Sequence, residues 1–328
     1  MEKASTCRLR VASRQKPHAS RVRSSLGQAP LACIILSAEF MSNSSAPKFL
    51  IIDGYTQAAR EELQAGGASV AADLYVSLLL KNAPEETVCD VIFPADPGVD
   101  LPVGEAIREY DGVAWTGCSS CVFSGEPGVE AQIEFARECF RQGVPGFGSC
   151  WAAQIAVVAA GGEVALNPNG REMGIAREIT LTEAGRAHPL YEGKPDVFDA
   201  FTSHDDEVTV LPIGSTLLSG NDFTRVQSVV VKHEGAEFWG LQYHPEYDLH
   251  EMARLMFCRM EKLIRLGFFA DEAEGLAHID QLEGLHADPS RDDIIAALDI
   301  KPTVLDESLR TVEARNWINH LVLPNMRR

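Results

Sequence analysis

The sequence predicts an α/β protein with an open, mostly parallel sheet that carries helices on both faces. From residue 48 onward, short apolar runs of strand length alternate with segments of helical periodicity. The first run, residues 48–53, is mostly apolar and ends at Gly54, which is typical of a strand buried in a parallel sheet. Because parallel strands need crossover connections, the alternation indicates right-handed β-α-β units.

The individual elements follow from these runs in chain order. We predict strands over 48–53, 88–93, 112–115 and 144–148, and helices over 56–81, 128–142 and 151–160. Gly66 and Gly67 are expected to break the first helix. Residues 163–243 are rich in β-branched residues and turns, so we expect an antiparallel extension of the sheet. Residues 249–266 predict one amphipathic helix that covers the sheet again.

The chain divides into three parts, a predicted domain at 47–266 and two flanking segments. Residues 1–46 predict an N-terminal extension: residues 1–40 hold seven basic and two acidic residues and an apolar run, 31–38. This order imitates a targeting peptide, but Met41 lies just before the first strand, which favours an upstream-extended start or a disordered tail. Residues 267–328 predict a helical, acidic extension with breaks at Pro289 and Pro302, packed on the body or on a second subunit.

Composition and charge exclude several classes of protein. The chain has 328 residues, 45% of them hydrophobic, and 29 basic against 47 acidic residues give a net charge of −18. This balance argues against a partner that is a nucleic acid, and no apolar run approaches the roughly 20 residues of a membrane span. Eight irregularly spaced cysteines in a long chain favour reduced thiols and a cytoplasmic location. The sequence does not determine the oligomeric state.

Cys118 and Cys121 form the closest cysteine pair. A zinc site would need a second pair of Cys or His residues at matching spacing, and the sequence has none, so we predict no metal and no cofactor. A redox role for this pair remains an alternative. Small residues in a tight loop explain the pair equally simply.

The segment Gly146-Phe-Gly-Ser-Cys150 has the context of a nucleophile elbow, since it joins a predicted strand to a predicted helix. A helix N-terminus at this point would lower the thiol pKa and offer N–H groups to an oxyanion. A buried structural cysteine is the alternative. Gly146 and Gly148 also resemble the start of a dinucleotide fingerprint, but Trp151 takes the place of the third glycine.

A second motif, Gly240-Leu-Gln-Tyr-His244-Pro-Glu246, supplies a base and a carboxylate. Cysteine catalysis needs a base for the thiol proton and a carboxylate to orient that base. On an extended segment, residues two apart point to the same side, so His244 and Glu246 can act together. A surface turn would explain this motif alone, but it gains meaning from Cys150 upstream.

The two motifs together resemble the class I (triad) glutamine amidotransferases, whose elbow reads G-x-C-x-G-x-Q and whose later motif reads G-x-Q-x-H-P-E. The resemblance covers about residues 48–265 and implies a flavodoxin-like fold. It implies that Cys150 is the nucleophile, His244 the base and Glu246 its orienting carboxylate. It departs from the family at Ala152, where the family has glycine, which could tighten the elbow or narrow the glutamine pocket.

The resemblance also implies the remaining site residues. Backbone N–H groups of Trp151 and of Gly117 or Cys118 would bind the oxyanion, and Cys118 stands where the family usually has glycine or serine. The amino-acid end of the substrate would be held by Gln154, Thr202, Ser203 and His204. For His204, a purely structural hydrogen-bonding role is the alternative.

Three functions stay open, and the chain resembles the glutaminase domain of GMP synthase without its synthase part. The first is a glutaminase that delivers ammonia to a separate synthase subunit. The second is a γ-glutamyl peptidase or hydrolase with the same thioester chemistry, and the third is a non-catalytic partner protein. The complete Cys-His-Glu set argues against the third. The expected substrate is glutamine or a γ-glutamyl compound.

Overall fold

The computed structural model describes residues 46–326, so all but the last residue of the predicted N-terminal extension lies outside the described residues. Within this range the strands are β1 (Lys48–Ile52), β2 (Val88–Ile92), β3 (Gly112–Trp115), β4 (Gly146–Ser149), β5 (Glu163–Leu166), β6 (Glu172–Leu181), β7 (Val197–His204), β8 (Asp206–Val210), β9 (Thr216–Gly220), β10 (Ser228–His233) and β11 (Ala236–Leu241). Nine of them form one sheet in the order β2-β1-β3-β4-β11-β10-β9-β6-β7.

Helices connect and cover these strands. They are α1 (Gln57–Ala65), α2 (Ala71–Asn82), α3 (Pro127–Gln142), α4 (Trp151–Ala159), α5 (Glu183–Ala187), α6 (Leu249–Cys258), α7 (Met260–Arg265), α8 (Glu272–Ala287), α9 (Asp292–Leu298), α10 (Pro302–Leu305), α11 (Glu307–Arg310), α12 (Val312–Trp317) and α13 (Leu323–Met326). Short 3₁₀ turns at Gly104–Glu109 and Pro189–Tyr191 and a π-helical turn at Ile318–Val322 complete the set.

The two faces of the sheet bury separate hydrophobic clusters. Leu50 and Ile52 of β1 contribute to one face with α3 and α4, whereas Phe49 and Ile51 contribute to the other with α2. This alternation follows from the two-residue period of a strand. The predicted fold class, a mostly parallel sheet with helices on both faces, is confirmed.

Two element predictions need correction. Residues 163–243 are not wholly an antiparallel extension, because β11 pairs in parallel with β4 and because β5 and β8 form a separate two-stranded sheet. The predicted helix over 249–266 is two helices, α6 and α7, which meet at Arg259 with φ −110° and ψ 14°. Apolar periodicity continues through this irregular residue, so the pattern could not show the break.

The helices of the C-terminal segment pack on the sheet. Trp317 is fully buried, and its ring centroid lies 5.3 Å from that of Phe49 and 5.4 Å from that of Phe147. A Cβ on Gly112 would lie 2.7 Å from the Trp317 ring, so the glycine in β3 makes room for this indole. The predicted boundary after residue 266 therefore separates elements that share one core.

The described part of the chain has no helix that is both long and apolar enough to cross a bilayer. In the same residues, no three His, Cys, Asp or Glu side chains are grouped so that they could hold a metal ion.

Candidate active site

Cys150 lies at a sharp turn between β4 and α4. Its backbone has φ 52° and ψ −104°, a conformation that costs a non-glycine residue energy and that concentrates at functional sites. The preceding Gly148 has no space for a side chain, because a Cβ there would lie 2.5 Å from the Trp115 carbonyl oxygen. The elbow that the sequence predicts is therefore present, and it sets Cys150 at the carboxyl edge of the sheet.

Ala152, which replaces the family's glycine, faces the elbow and not the cavity. It is fully buried, and a Cβ on Gly148 would lie 2.4 Å from its methyl group. Of the two expectations for this residue, a tighter elbow agrees with the structure. A narrower substrate pocket does not, because Ala152 is absent from the cavity wall.

His244 and Glu246 form the second part of the site, directly after β11. The His244 Nδ1 atom lies 2.7 Å from Glu246 Oε1, and the His244 ring stacks on Tyr247 with centroids 4.0 Å apart. With the carboxylate on Nδ1, this nitrogen carries the proton and Nε2 is the free acceptor. Nε2 is buried and has no hydrogen-bond partner among the described residues. His244 is thus oriented to take a proton.

Two residues that the sequence analysis missed hold the Glu246 carboxylate. The Ser149 hydroxyl donates to Glu246 Oε1 at 2.8 Å, and the Tyr75 hydroxyl lies 2.6 Å from Ser149 Oγ. Tyr75 comes from α2, and Ser149 is the residue directly before the nucleophile. No local motif could show this chain of bonds, because α2 is far from the elbow in sequence.

The Cys150 thiol is protonated in this structure. It donates to the Ser203 carbonyl oxygen at 3.8 Å. Burial raises the pKa of the Cys150 thiol to about 12, although the Trp151 backbone N–H and the positive charge of Arg171 act in the opposite direction. The expectation that the helix N-terminus lowers this pKa is therefore wrong in its net sign, because desolvation is the larger effect.

The predicted oxyanion residues lie beside the elbow. Trp151 is the first residue of α4, where backbone N–H groups lack partners within the helix. Gly117 and Cys118 directly follow Thr116 at the end of β3, and a Cβ on Gly117 would lie 2.7 Å from His244 Cε1. Glycine at 117 thus lets the imidazole approach the loop. The role of these N–H groups stays a prediction.

A cavity of about 380 Å³ opens over the Cys150 thiol. It is lined by Cys150, His244, Gln154, Ser203 and His204, so three of the four predicted substrate-binding residues reach it. Thr202, the fourth, does not line this cavity: its side chain is fully buried in the sheet.

His204 is firmly held by neighbours on both ring nitrogens. Its Nε2 lies 2.9 Å from Glu172 Oε2, and its Nδ1 lies 2.9 Å from the Asp206 carbonyl oxygen. Gln154 donates to the same Asp206 carbonyl and to Gln242 Oε1 at 3.3 Å. The structural role that was the alternative for His204 thus agrees with its bonds.

Charged residues that sequence reasoning did not select make up much of the cavity wall. Arg171 and Lys262 both pair with Asp205, at 2.6 and 2.7 Å, and Arg259 and Asp206 also line the cavity. Asp205 and Asp206 directly follow the segment 202–204 that was selected, whereas the three cations come from the start of β6, from α7 and from the junction of α6 and α7. Only the tertiary fold brings them together.

The cysteines in the described residues are free thiols, at positions 89, 118, 121, 139, 150 and 258. Cys118 and Cys121 line the cavity on the loop after β3. The Cys118 Sγ accepts from the Ser120 backbone N–H at 3.5 Å, so the Cys118-Cys121 loop is closed by a turn and not by a disulfide.

Comparison with known proteins places this site in a family. Residues 108–262, which contain the elbow and the His244-Glu246 motif, match the family model of class I glutamine amidotransferases. The gamma-glutamyl-L-1-hydroxyisopropylamide hydrolase of a Pseudomonas species is 34% identical over 288 residues, which cover 86% of this chain and 95% of that protein. The chain belongs to the class I glutamine amidotransferase family. It is therefore an enzyme of the amidotransferase and amide hydrolase type.

Other relatives are GMP synthases of the glutamine-hydrolyzing kind. That of Streptomyces avermitilis is 29% identical over 52% of this chain, and the chain spans 30% of that protein. In Methanoculleus marisnigri, one separately encoded GMP synthase subunit is 30% identical over 43% of this chain and 72% of that protein. A glutamine amidotransferase from Thermotoga maritima has the same fold, with a TM-score of 0.55 and 16% identity over 82% of this chain and 97% of that one.

Proposed function

We propose that this amidotransferase-family enzyme hydrolyses the side-chain amide bond of γ-glutamyl compounds. The likeness to the Pseudomonas hydrolase carries this proposal. It covers 86% of the chain, which is more than residues 1–266 contain, so it extends into the C-terminal helices. These helices share the core of the sheet. The order of functions expected from the sequence, with ammonia delivery first, is thereby reversed.

The arrangement supports a two-step reaction. Cys150 attacks the γ-carbonyl carbon while His244 Nε2 takes the thiol proton, and the tetrahedral oxyanion is bound by the backbone N–H groups of Trp151 and Cys118. His244 then gives the proton to the departing amine, which leaves a γ-glutamyl thioester on Cys150. Water attacks the thioester with His244 as base, and glutamate and the free thiol are released.

The high pKa of Cys150 agrees with this sequence of steps. A thiol that is neutral at rest needs the base at the moment of attack, and His244 Nε2 is a buried acceptor without a partner in residues 46–326. Glu246 stabilises the imidazolium that forms, through the 2.7 Å contact to Nδ1.

Delivery of ammonia to a separate synthase chain is the second candidate. It is favoured by the likeness to the GMP synthase component of Methanoculleus marisnigri, which is named as one subunit of its enzyme and is covered over 72% of its length. In this case glutamine is the donor, and the ammonia released from Cys150 passes to a partner chain.

A substrate series with the purified chain tests both candidates. Glutamine, glutathione and γ-glutamyl-p-nitroanilide would be supplied without any partner, and glutamate release would be measured, with Cys150→Ala as the control. Hydrolysis of the amides with larger amines at a higher kcat/KM than glutamine supports the proposal. Turnover of glutamine alone favours the second candidate, and no Cys150-dependent glutamate release from any donor would contradict both.

A further inference from the structure

Arg259 is a cation of the active-site cavity that lacks an acidic partner. Among the described residues, Arg171 and Lys262 share Asp205, whereas no carboxylate lies at ion-pair distance from Arg259. Its Nη1 donates to Ser203 Oγ at 2.9 Å, and the Tyr55 hydroxyl is a further neutral neighbour. A guanidinium has five N–H donors, so donors are left for a ligand.

The surroundings of Arg259 make this lack of a counter-ion costly. Tyr55, Tyr247 and Cys150 lie close enough to act on its charge, and all three are buried. A charge removed from water is stabilised by a partner of opposite sign. The break between α6 and α7 places Arg259 here, since the two helices meet at this residue.

Asp206 is the corresponding anion. It is buried and lines the same cavity, and no Lys, Arg or His nitrogen forms an ion pair with it within residues 46–326. The adjacent Asp205 already receives both Arg171 and Lys262. The cavity that holds Cys150 therefore presents one guanidinium and one carboxylate without counter-ions from the described part of the chain.

We propose that Arg259 binds the α-carboxylate and Asp206 the α-ammonium of the γ-glutamyl group. This inference rests on the proposed function, and it assigns the amino-acid end of the substrate to side-chain charges where the sequence resemblance implied main-chain groups and residues 202–204. The substrate class is then narrow: L-γ-glutamyl compounds whose α-amino and α-carboxyl groups are both free.

The chemistry of both groups fits a zwitterionic end group. The planar guanidinium matches a carboxylate with two parallel N–H···O bonds, which a lysine cannot reproduce. A cavity of about 380 Å³ above Cys150 has room for the glutamyl chain. Asp206, on the segment that also supplies the Ser203 carbonyl to the thiol, receives the ammonium.

Truncated substrates test the assignment group by group. 4-Aminobutyryl-p-nitroanilide lacks only the α-carboxylate, and glutaryl-p-nitroanilide lacks only the α-ammonium of γ-glutamyl-p-nitroanilide. We expect Arg259→Met to lower kcat/KM about 100-fold on the complete substrate and less than about threefold on the 4-aminobutyryl compound, as for loss of a charged hydrogen-bonded pair. Asp206→Asn should show the mirror result with the glutaryl compound.

Arg265→Met is the matched control, because Arg265 is an exposed residue of the neighbouring helix α7 and loses the same charge. Equal losses on all three anilides would overturn the proposal, since they indicate a structural role for Arg259. A loss confined to γ-glutamyl-glycine, with the anilide unaffected, would also overturn it, because Arg259 would then bind the carboxylate of the leaving group.

A binding measurement separates this inference from the proposed reaction. In the Cys150→Ala background, titration calorimetry with L-glutamate should detect binding, and Arg259→Met should weaken it at least about tenfold while 4-aminobutyrate binding is unchanged. If the native chain hydrolyses no γ-glutamyl compound, the function is wrong, yet this titration still decides the subsite. No glutamate binding, or binding insensitive to Arg259→Met, would refute the subsite itself.

Discussion

The single residue Cys150 combines a strained backbone with a thiol that holds its proton. Burial raises its pKa to about 12, and φ is 52°. Strain fixes the direction of the side chain, and desolvation keeps it neutral until a substrate and His244 act together. Such a thiol reacts slowly with other electrophiles, because the thiolate is the reactive form.

This protonation state predicts a pH dependence for alkylation. Because the thiolate fraction rises about tenfold per pH unit below the pKa, the rate of iodoacetamide labelling at Cys150 should rise steadily from pH 7 to pH 10. The rate would be followed by mass spectrometry of the Cys150 peptide, with the half-buried Cys121 as reference. A rate that levels off below pH 8 would contradict a raised pKa.

Substitution of the proposed triad should separate the three roles. We expect Cys150→Ala and His244→Ala each to lower kcat by at least about 1,000-fold, and Glu246→Ala to be milder, since an orienting carboxylate usually contributes less than the base. Circular dichroism would check that each variant is folded. Retention of activity in Cys150→Ala would exclude the thioester route.

The bonds behind Glu246 predict positioning roles for Ser149 and Tyr75. Without the Ser149 hydroxyl, Glu246 loses one of the two hydrogen bonds on Oε1, so its pKa should rise. For Ser149→Ala we therefore expect kcat about 10-fold lower, KM unchanged and the acid limb of the pH profile at higher pH. Tyr75→Phe should have a smaller effect of the same kind. An unchanged pH profile with raised KM would argue against positioning.

At the scale of elements, the elbow depends on close approach between β3, β4 and α4. The space beside Gly148 is closed by Ala152 on one side and by the Trp115 carbonyl on the other. The approach brings the end of β3, and thus the loop of Gly117 and Cys118, next to the first turn of α4. An oxyanion site built from two elements needs this proximity.

A pair of substitutions tests how tight the elbow is. Gly148→Ala should destabilise the protein by about 1–3 kcal/mol, as overpacking of a close contact does. Adding Ala152→Gly should restore part of this loss, because it removes the methyl contact and leaves the carbonyl contact. Urea denaturation would measure both variants. Full recovery in the double variant would show that the Trp115 carbonyl does not limit the space.

At the scale of the whole molecule, the C-terminal helices belong to the catalytic body. Glu313 is fully buried, pairs with buried Lys194 at 2.9 Å and accepts a hydrogen bond from Tyr243, which directly precedes His244. The segment that bears the proposed base is therefore tied to a helix some seventy residues later in the chain.

This buried pair predicts a large and specific loss of stability. Glu313→Gln leaves the Lys194 ammonium without its counter-ion and should cost about 3–5 kcal/mol. Glu307→Gln is the matched control, because its pair with Lys81 is exposed on both sides and should contribute less than about 1 kcal/mol. Chemical denaturation would measure both. Similar losses in the two variants would contradict the importance of the buried pair.

The sequence by itself determined the sheet class, the elbow and the order of the motifs. Local patterns suffice for these features: apolar runs mark β1 to β4, glycines mark the turn before Cys150, and His244-Pro-Glu246 is continuous in the chain. The break of the first helix at Gly66 and the C-terminal breaks at Pro289 and Pro302 were predicted for the same reason, since backbone constraints act within a few residues.

Only the tertiary structure decided what surrounds the nucleophile. Tyr75 reaches Ser149, Arg259 reaches Ser203, and Glu313 reaches Tyr243 across separations of 74, 56 and 70 residues. Pairings of this kind leave no periodic trace, because they depend on where whole helices dock. The net pKa of Cys150 is decided there too, since desolvation comes from the packed neighbours and outweighs the effect of the helix N-terminus that the local sequence indicates.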